Sequence, residues 1–239
     1  MRRFFAPEGA RGGRIVLRGR EAYHLAVVLR LRPGERVIAV DGAGREHVVQ
    51  LTAVSVAQAE GEVLEIRQGA AAVVEVTLVQ GVPKGAKMDA VIRMGTELGI
   101  RRFIPALTSR AVAEGRGRAE RWRRIAVEAA KQSRRSEVPE VLDPMPFAAA
   151  LDHLEGCDLV LALWEGERAR SIADVLGGAA PHRLALLVGP EGGFTAAEVE
   201  DAVRRGAHVV SLGPRILRTE TAALAAAAMV LYEFTLRRV

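Results

Sequence analysis

The sequence predicts two domains: a small β-rich domain over residues 1–70, and an α/β domain over residues 73–239 whose mostly parallel sheet carries helices on both faces. Three observations support this division. Alternating apolar and polar residues with a hairpin signal fill residues 35–67. From residue 73 onward, short apolar strands alternate with helices, which is the pattern of a parallel sheet covered by helices. The segment Gln68-Gly69-Ala70-Ala71-Ala72 between them has the composition of a linker.

The predicted small domain begins with a basic and aromatic segment, Met1-Arg2-Arg3-Phe4-Phe5. A short helix is predicted over residues 21–29 and ends near the turn Pro33-Gly34. Strands are predicted over residues 35–40 and 46–54, joined by the hairpin signal Asp41-Gly42-Ala43-Gly44, and a further strand over residues 62–67.

The α/β domain opens with a predicted strand over residues 73–80, followed by the loop Gly81-Val82-Pro83-Lys84-Gly85. A helix over residues 87–98 stops at Gly99, and a strand over residues 102–105 follows. Residues 120–133 are predicted to form an amphipathic helix. Residues 158–163 are predicted to form a buried strand that ends in Trp164-Glu165-Gly166.

Residues 184–228 repeat one strand–loop–helix pattern twice. The strand 184–188 leads into Gly189-Pro190-Glu191-Gly192-Gly193, and Thr195 with Glu198 predicts a capping box for a helix that runs to about residue 205. The strand 209–212 leads into the loop 213–218 and a helix from residue 219 to about residue 236. Ligands of open parallel sheets bind outside the carboxyl ends of the strands, so both loops are candidate ligand-binding loops. Ordinary Gly-Pro turns are the alternative for either loop alone, and neither loop has the spacing of a dinucleotide fingerprint or a P-loop.

The composition limits the class of protein. The chain has 239 residues, of which 49% are hydrophobic, no apolar run of membrane-spanning length, and a basic N-terminus without the apolar segment of a signal peptide, so we expect a soluble cytoplasmic protein. The net charge of +5 favours a polyanionic partner. The single cysteine, Cys157, excludes an internal disulfide and a multi-cysteine metal site, and we expect no metal. The chain lacks asparagine and prefers arginine to lysine, as either a thermophilic source or a high-GC genome would produce.

Two segments resemble the signature loops of the RsmE family, the 16S ribosomal RNA uridine-N3 methyltransferases. They are residues 188–194, VGPEGGF, and residues 212–222, LGPRILRTETA. The resemblance spans essentially the whole chain, and it departs at Lys131, where a glutamate is expected. It implies the fold of the SPOUT superfamily, in which these loops form a deep trefoil knot that holds S-adenosyl-L-methionine. It also implies that a PUA-like β-barrel, which helps to hold RNA, precedes this domain.

The resemblance assigns the cofactor site to the ends of three strands. One wall is the end of the strand 158–163, and the two signature loops supply the others. A side chain at Gly189 or Gly213 is expected to collide with the cofactor while the fold stays intact. The candidate cofactor-binding residues are Leu163, Trp164, Leu187, Val188, Gly189, Pro190, Glu191, Gly192, Leu212, Gly213, Ile216, Leu217, Thr219 and Ala222.

Methylation at N3 of uracil requires removal of the N3 proton and stabilisation of the negative charge that results. A carboxylate within hydrogen-bond reach can accept the proton, and an arginine can stabilise the charge. The loop residues of these types are Glu191, Glu220, Arg215 and Arg218, and their roles stay open among them. Glu220 is equally suited to complement the dipole at the start of its helix.

Basic and stacking residues that match the family pattern are the candidates for RNA contact. Solvated charges, and a buried ring in the case of Phe4, are the alternatives. The candidates are Arg2, Arg3, Phe4, His24, Arg30, Arg32, Lys84, Lys87, Arg110, Gln132 and Arg135.

The sequence therefore predicts S-adenosyl-L-methionine-dependent methylation of N3 of a uridine in 16S ribosomal RNA, either naked or within the small subunit. One alternative is a SPOUT enzyme that acts on another position, such as a ribose 2′-hydroxyl. Another is a non-catalytic RNA-binding or assembly protein. The final helix is apolar nearly all round over residues 222–234, which predicts a homodimer, with burial inside one chain as the alternative.

Overall fold

The structure, a computed structural model, describes residues 1–69, 72–111 and 117–236. The chain divides into two compact units. The first comprises residues 1–71 together with residues 130–138, and the second comprises residues 72–129 together with residues 139–239. Residues 130–132 are the last residues of the helix Ala119–Gln132, so nothing in their composition separates them from the α/β part of the chain.

The first unit is built on a five-stranded mixed sheet. Its strands are β1 (Arg2–Phe5), β2 (Arg14–Arg18), β3 (Arg36–Val40), β4 (Arg45–Val54) and β5 (Gln58–Gln68). Their order is β1-β3-β4-β5-β2; β1 runs parallel to β3, and the other pairs are antiparallel. The register of the long β4–β5 pair shifts twice, between Val48 and Val49 and between Leu51 and Ala53, and such bulges bend a ribbon. This curled mixed sheet confirms the predicted β-rich N-terminal domain.

The core of the first unit draws on every strand and on one short helix. Ile15 and Leu17 of β2 are buried, whereas the flanking Arg14 and Arg18 are exposed. Helix α1 (Arg20–Tyr23) continues into a π-helical turn (His24–Val28), whose Leu25 is buried in the same core. Strands β1 and β2 were not predicted from the sequence, because both are short and rich in arginine.

Residues 130–138 pack within the first unit. The Gly44 N–H donates to the Ser136 carbonyl at 3.1 Å. Lys131 Nζ lies 2.8 Å from Glu21 Oε1 and 5.4 Å from the centre of the Phe5 ring. Lys131, which stands where the family pattern has glutamate, is therefore a structural contact of this unit.

The second unit contains a seven-stranded sheet in which every pair of neighbours is parallel. The strands are β6 (Glu75–Gly81), β7 (Arg102–Leu107), β8 (Glu140–Val141), β9 (Met145–Pro146), β10 (Leu159–Leu163), β11 (Arg183–Val188) and β12 (His208–Val210). Their order is β12-β10-β11-β6-β7-β8, with β9 also paired to β7.

Helices cover both faces of this sheet. They are α2 (Lys87–Leu98), α3 (Ala119–Gln132), α4 (Phe147–Asp152), α5 (Ile172–Leu176), α6 (Ala196–Arg204) and α7 (Thr219–Leu231), which continues into a π-helical turn (Tyr232–Leu236). Leu187 packs with Phe147 of α4 and Val199 of α6. Leu184 and Leu186 point to the opposite face and are also fully buried, and α7 packs on β11 and β6. The predicted parallel sheet with helices on both faces is confirmed.

The long elements agree with the sequence analysis and several short ones were missed. Helix α2 has the predicted bounds, and the predicted capping box of Thr195 and Glu198 is present at α6. The elements α4, α5, β8 and β9 have two to six residues, too few to show a periodic pattern. Within residues 1–69, 72–111 and 117–236, no helix is long and apolar enough to cross a membrane.

Candidate active site

Neighbouring strands end side by side at one edge of the parallel sheet. Leu163 of β10 pairs with Val188 of β11 and with Val210 of β12, and Val188 pairs with Gln80 of β6. The loops that follow β10, β11 and β12 therefore leave the sheet together. This is the arrangement of a ligand site in an open parallel sheet.

The loop after β11 folds tightly on itself. The Gly193 N–H donates to the Pro190 carbonyl at 2.9 Å, and Gly193 has a φ of 66°. A Cβ atom at Gly189 would lie 2.8 to 2.9 Å from backbone atoms of Gly193 and Phe194. Gly189 is therefore required by the loop's own backbone. This corrects the expectation that a side chain there would meet only a cofactor and leave the fold intact.

Several candidate cofactor residues do not present a side chain to this edge. Leu187 and Val188 are buried in β11, and Leu187 belongs to the core beneath α4 and α6. Gly189 and Pro190 are buried as well. Any contact of these residues with a ligand would therefore be made by their backbone groups.

A buried polar network ties the β11 loop to the start of α7. Thr219 Oγ1 donates to the Gly189 carbonyl at 2.5 Å and accepts a hydrogen bond from Gln80 Nε2 at 2.8 Å. The same amide donates to the Gly81 carbonyl at 3.0 Å. The Thr219 hydroxyl, a candidate cofactor group, is thus already used inside the protein.

Glu191 is held by Lys84, just before α2, and by Lys87, the first residue of α2. Its carboxylate lies 2.6 Å from Lys87 Nζ and accepts the Lys84 backbone N–H at 3.1 Å. Burial raises the pKa of Glu191, but the hydrogen bonds from Lys87 and from backbone N–H groups outweigh it, so the net pKa is lowered. An ionised carboxylate that is already paired is a poor acceptor for a proton from the substrate.

Arg110 supports the β11 loop from the side of β7. Its Nη1 donates to the Gly192 carbonyl at 2.5 Å, and its side-chain carbons lie 3.1 to 3.2 Å from where a Cβ of Gly192 would be. The neighbouring Ser109 N–H donates to Glu198 Oε1 at 2.7 Å. Arg110 therefore has a structural contact in addition to any contact with RNA.

The loop after β12 is largely exposed. The Gly213 N–H donates to Ser211 Oγ at 3.1 Å, Gly213 has a φ of 110°, and nothing in the described chain lies within 4 Å of a Cβ placed there. The Ile216 side chain is 91% exposed, whereas Leu212 and Leu217 are half-buried. This loop leaves open space beside Gly213 and presents an apolar side chain outward.

The charged candidates near α7 form no ion pair within the described residues. Arg215 and Arg218 are exposed, and the part of the chain that the structure describes holds neither in an ion pair. Glu220 is half-buried in the first turn of α7, and its Oε2 is buried without a hydrogen-bond partner among the described residues. Ala222 is half-buried one turn along the helix. Glu220 Oε2 thus forms no hydrogen bond within the described residues, whereas the Glu191 carboxylate is paired with Lys87.

The loop after β10 forms the third wall. Leu163 and Trp164 are half-buried. The indole of Trp164 lies over Gly166, since a Cβ atom there would be 2.6 to 2.7 Å from the ring. The Glu165 carboxylate lies near Gly193, so this wall reaches the β11 loop.

Two family models match the chain. The RNA methyltransferase domain matches residues 71–231, and the RNA methyltransferase PUA domain matches residues 17–64. The ribosomal RNA small subunit methyltransferase E of Bacillus subtilis is 36% identical over 231 residues, which cover 92% of this chain and 90% of that protein. The protein of the same name from Synechocystis is 35% identical over 232 residues, with 94% and 75% covered. This chain belongs to the RsmE family.

A solved RsmE structure shares the fold. The ribosomal RNA small subunit methyltransferase E of Neisseria gonorrhoeae, bound to S-adenosyl methionine, superposes with a TM-score of 0.82 at 34% identity and covers 96% of each chain. Together with the PUA match, this likeness confirms the predicted class, a SPOUT methyltransferase domain preceded by a PUA-like domain.

The RNA candidates of the first unit fall into two groups. Arg2, Arg30 and Arg32 are exposed and, among the residues described, form no side-chain ion pair. Arg3 instead lies 2.8 Å from Glu46 Oε1 and also donates to the Arg134 carbonyl at 2.9 Å.

The aromatic candidates of the first unit differ in exposure. Phe4 is only 2% exposed in the core, which corrects its assignment as a base-stacking residue. His24 is exposed, with its ring 6.1 Å from the Phe4 ring. The remaining basic and polar candidates lie later in the chain, and two of them, Gln132 and Arg135, belong to the first unit. Gln132 and Lys84 are exposed, while Arg135 is half-buried and its N–H donates to the Ala130 carbonyl.

Two residues that support the signature loops, Gln80 and Glu198, were not predicted from the sequence to do so. The available signal for Gln80 was a polar residue at the end of an apolar strand, where a buried amide requires hydrogen-bond partners. Glu198 was recognised as a capping residue, but its second contact, with Ser109, is 89 residues away in the chain. No local pattern reports such a contact.

Proposed function

We propose that this protein transfers the methyl group of S-adenosyl-L-methionine to N3 of a uridine in 16S ribosomal RNA. Membership of the RsmE family supports the reaction and its substrate class. The observation that carries the proposal is the convergence of three loops at the ends of β10, β11 and β12, beside Glu220, whose Oε2 has no hydrogen-bond partner among the described residues.

The residues at this edge fit such a cofactor. The backbone of the β11 loop and of Leu212 would contact the adenosine, and the open space beside Gly213 leaves room for it. Leu217 and Trp164 are half-buried and offer apolar contacts. When bound, the cofactor supplies an electrophilic methyl group.

The protein's own groups must manage the N3 proton and the charge left behind. Glu220 is our candidate for the proton acceptor, because its Oε2 is buried and free of hydrogen bonds in the described chain, whereas Glu191 is ionised and paired with Lys87. Arg215 and Arg218 are the candidates for stabilising negative charge on the uracil, since each is exposed and unpaired in that part of the chain. Glu191 keeps a supporting role beneath the loop.

RNA binding is proposed for the exposed arginines of the PUA-like unit. Arg2, Arg30 and Arg32 can pair with phosphates because no carboxylate in the described residues neutralises them. Lys84, Lys87, Gln132 and Arg135 remain candidates on the strength of the family pattern. Whether the substrate is naked RNA or the small ribosomal subunit is part of the test below, and we expect the enzyme in the cytoplasm, where bacterial subunits assemble.

We also propose that the working unit is a homodimer formed through α7. Within one chain, α7 buries Ala223, Ala226 and Val230. On its other side Met229 is 42% exposed and Tyr232, just beyond the helix, is 58% exposed. An apolar helix with one uncovered face is suited to packing against a second copy.

The decisive experiment combines methyl transfer with mapping of the product. Purified protein would be incubated with labelled S-adenosyl-L-methionine and either 16S ribosomal RNA or intact small subunits, and the methylated nucleotide would be identified by mass spectrometry. Methyl at N3 of one uridine is expected. Methyl on a ribose 2′-hydroxyl would contradict the proposed atom, and binding of RNA without any transfer would indicate a non-catalytic assembly protein.

A further inference from the structure

A buried glutamine joins the two signature loops. Gln80 is the penultimate residue of β6, and its side chain is fully buried. Its Nε2 lies 2.8 Å from Thr219 Oγ1, 3.0 Å from the Gly81 carbonyl oxygen and 3.3 Å from the Gly189 carbonyl oxygen. Gly189 and Thr219 are 109 and 139 residues away in the chain. One amide therefore contacts the end of its own strand, the β11 loop and the start of α7.

The atoms involved fix the direction of these hydrogen bonds. Thr219 Oγ1 gives its own proton to the Gly189 carbonyl, so it can only accept from Gln80. The carbonyl oxygens of Gly81 and Gly189 are acceptors as well. The amide must therefore turn its NH2 group, not its oxygen, toward all three. An apolar side chain at this position would leave buried acceptors without a donor.

We infer that Gln80, acting through Thr219, is a positioning residue that fixes the loop 189–193 against the first turn of α7. The inference rests on the proposed function, because that loop contributes cofactor contacts and that turn carries Glu220. Gln80 and Thr219 touch no reacting atom, since their protons are already used within the network. Their effect on catalysis passes through geometry, and a misplacement of about 1 Å lowers a rate about a hundredfold.

Two substitutions at Gln80 distinguish the loss of its hydrogen-bond donor from a change in side-chain volume. Gln80→Leu keeps a similar volume and removes the donor at every pH. Gln80→Glu keeps the shape, but an ionised carboxylate would repel the carbonyl oxygens, whereas a protonated one can donate. Burial raises the pKa of an introduced carboxyl. We expect the cofactor affinity of Gln80→Glu to recover as the pH falls, and that of Gln80→Leu to show no such recovery.

Substitutions at Thr219 test the second half of the network. Gln80→Leu and Thr219→Val should each weaken binding of S-adenosyl-L-methionine about tenfold or more in calorimetry, and Thr219→Ser should recover most of that loss. Thr96→Val is the matched control. Thr96 is equally buried, and its hydroxyl donates to the Ile92 carbonyl at 2.6 Å within α2. This control should lower the thermal midpoint without a measurable change in cofactor affinity.

Hydrogen exchange tests the same coupling without any cofactor. In Gln80→Leu and Thr219→Val, exchange should accelerate in both segments 189–194 and 219–223, while most of α2 stays as slow as in the unaltered protein. Unchanged exchange in either segment, or unaltered cofactor affinity in a folded Gln80→Leu, would overturn the positioning role. If Gln80→Leu does not fold, the positioning role is tested with Thr219→Val, which loses one hydroxyl, by cofactor affinity and by hydrogen exchange. Failure of the unaltered protein to bind the cofactor would contradict the proposed function. The hydrogen-exchange rates of the two segments would still test the positioning role of Gln80, because they are measured without cofactor.

Discussion

Glu191 and Glu220 offer the sharpest test of how this site works, because they have similar side chains in opposite environments. Glu191 lies 2.6 Å from Lys87 Nζ and accepts a backbone N–H, whereas Glu220 Oε2 has no hydrogen-bond partner in the described chain. The perturbation is the isosteric change of each carboxylate to its amide, Glu191→Gln and Glu220→Gln. We expect a large loss of rate from the second and a small one from the first.

The magnitudes follow from these contacts. The side chains of Lys87 and Glu191 are 37% and 31% exposed, and ion pairs in such positions contribute about 0.2–1 kcal/mol to stability. Glutamine at 191 can still accept the Lys84 N–H, so Glu191→Gln should lower the free energy of unfolding by less than about 1 kcal/mol. Loss of a general base lowers a rate by about 10²–10⁴-fold, and this range is expected for kcat of Glu220→Gln.

The pH dependence of stability provides a second test of the Glu191 ion pair. Its folded pKa is lowered, so its contribution to stability is present above the pKa of the unfolded chain and is lost as the pH falls through the lower folded value. The difference in thermal midpoint between the unaltered protein and Glu191→Gln should therefore be full at neutral pH and shrink in acid.

The assay is single-turnover methyl transfer at saturating RNA, with cofactor affinity measured separately by calorimetry. Single-turnover conditions remove product release, so the measured rate reports the chemical step. A single-turnover rate constant that falls a hundredfold in Glu191→Gln and little in Glu220→Gln would refute the assignment of the proton acceptor. Equal and small effects in both would show that neither carboxylate removes the proton.

Three further predictions concern the loop, the RNA and the dimer. Gly189→Val should lower the free energy of unfolding by about 1–3 kcal/mol and weaken cofactor binding together, because its side chain meets loop backbone; a stable variant that only loses cofactor would contradict this. Replacing Arg2, Arg30 and Arg32 by alanine should reduce the slope of log affinity against log salt by about 2, and an unchanged slope would mean that they are solvated. Met229→Glu should shift the protein toward monomer in light scattering, whereas Val203→Glu, at an exposed apolar site on α6, should not; a fully active monomer would exclude the dimer as the working unit.

The elements that the sequence revealed are those whose signals are local. Helix α2 starts and stops at the predicted residues because its apolar positions recur with helical spacing and Gly99 ends it with a φ of 121°. The capping box of α6 needs only Thr195 and Glu198, three residues apart. The return of residues 130–138 to the first unit depends on contacts such as that of Lys131 with Glu21, 110 residues away, and no window of sequence contains both.

The candidate site shows the same limit at the level of single side chains. Glycine and charge patterns in residues 188–194 and 212–222 were sufficient to locate the loops. They could not show that backbone atoms of the same loop occupy the space where a side chain at Gly189 would lie. Nor could they show that Phe4 is in the core or that Arg3 is paired with Glu46. The type of a residue determines which interactions its side chain can make. The neighbouring residues determine whether those interactions are already satisfied inside the protein.

Several charged side chains and carbonyl groups at this edge are already paired within the protein, which limits the part of the edge where the reaction can take place. In the β11 loop, the Glu191 carboxylate is paired with Lys87, and the Gly189 and Gly192 carbonyls accept from Thr219 and Arg110. Charged groups that form no ion pair within the described residues lie at the end of the β12 loop and in the first turn of α7. The β11 loop is thus built as a rigid wall, held by contacts from β6, β7 and the start of α2. If the uridine reacts at this edge, an approach of its N3 from the side of α7 would bring it to a carboxylate and two arginines that form no ion pair within the described residues.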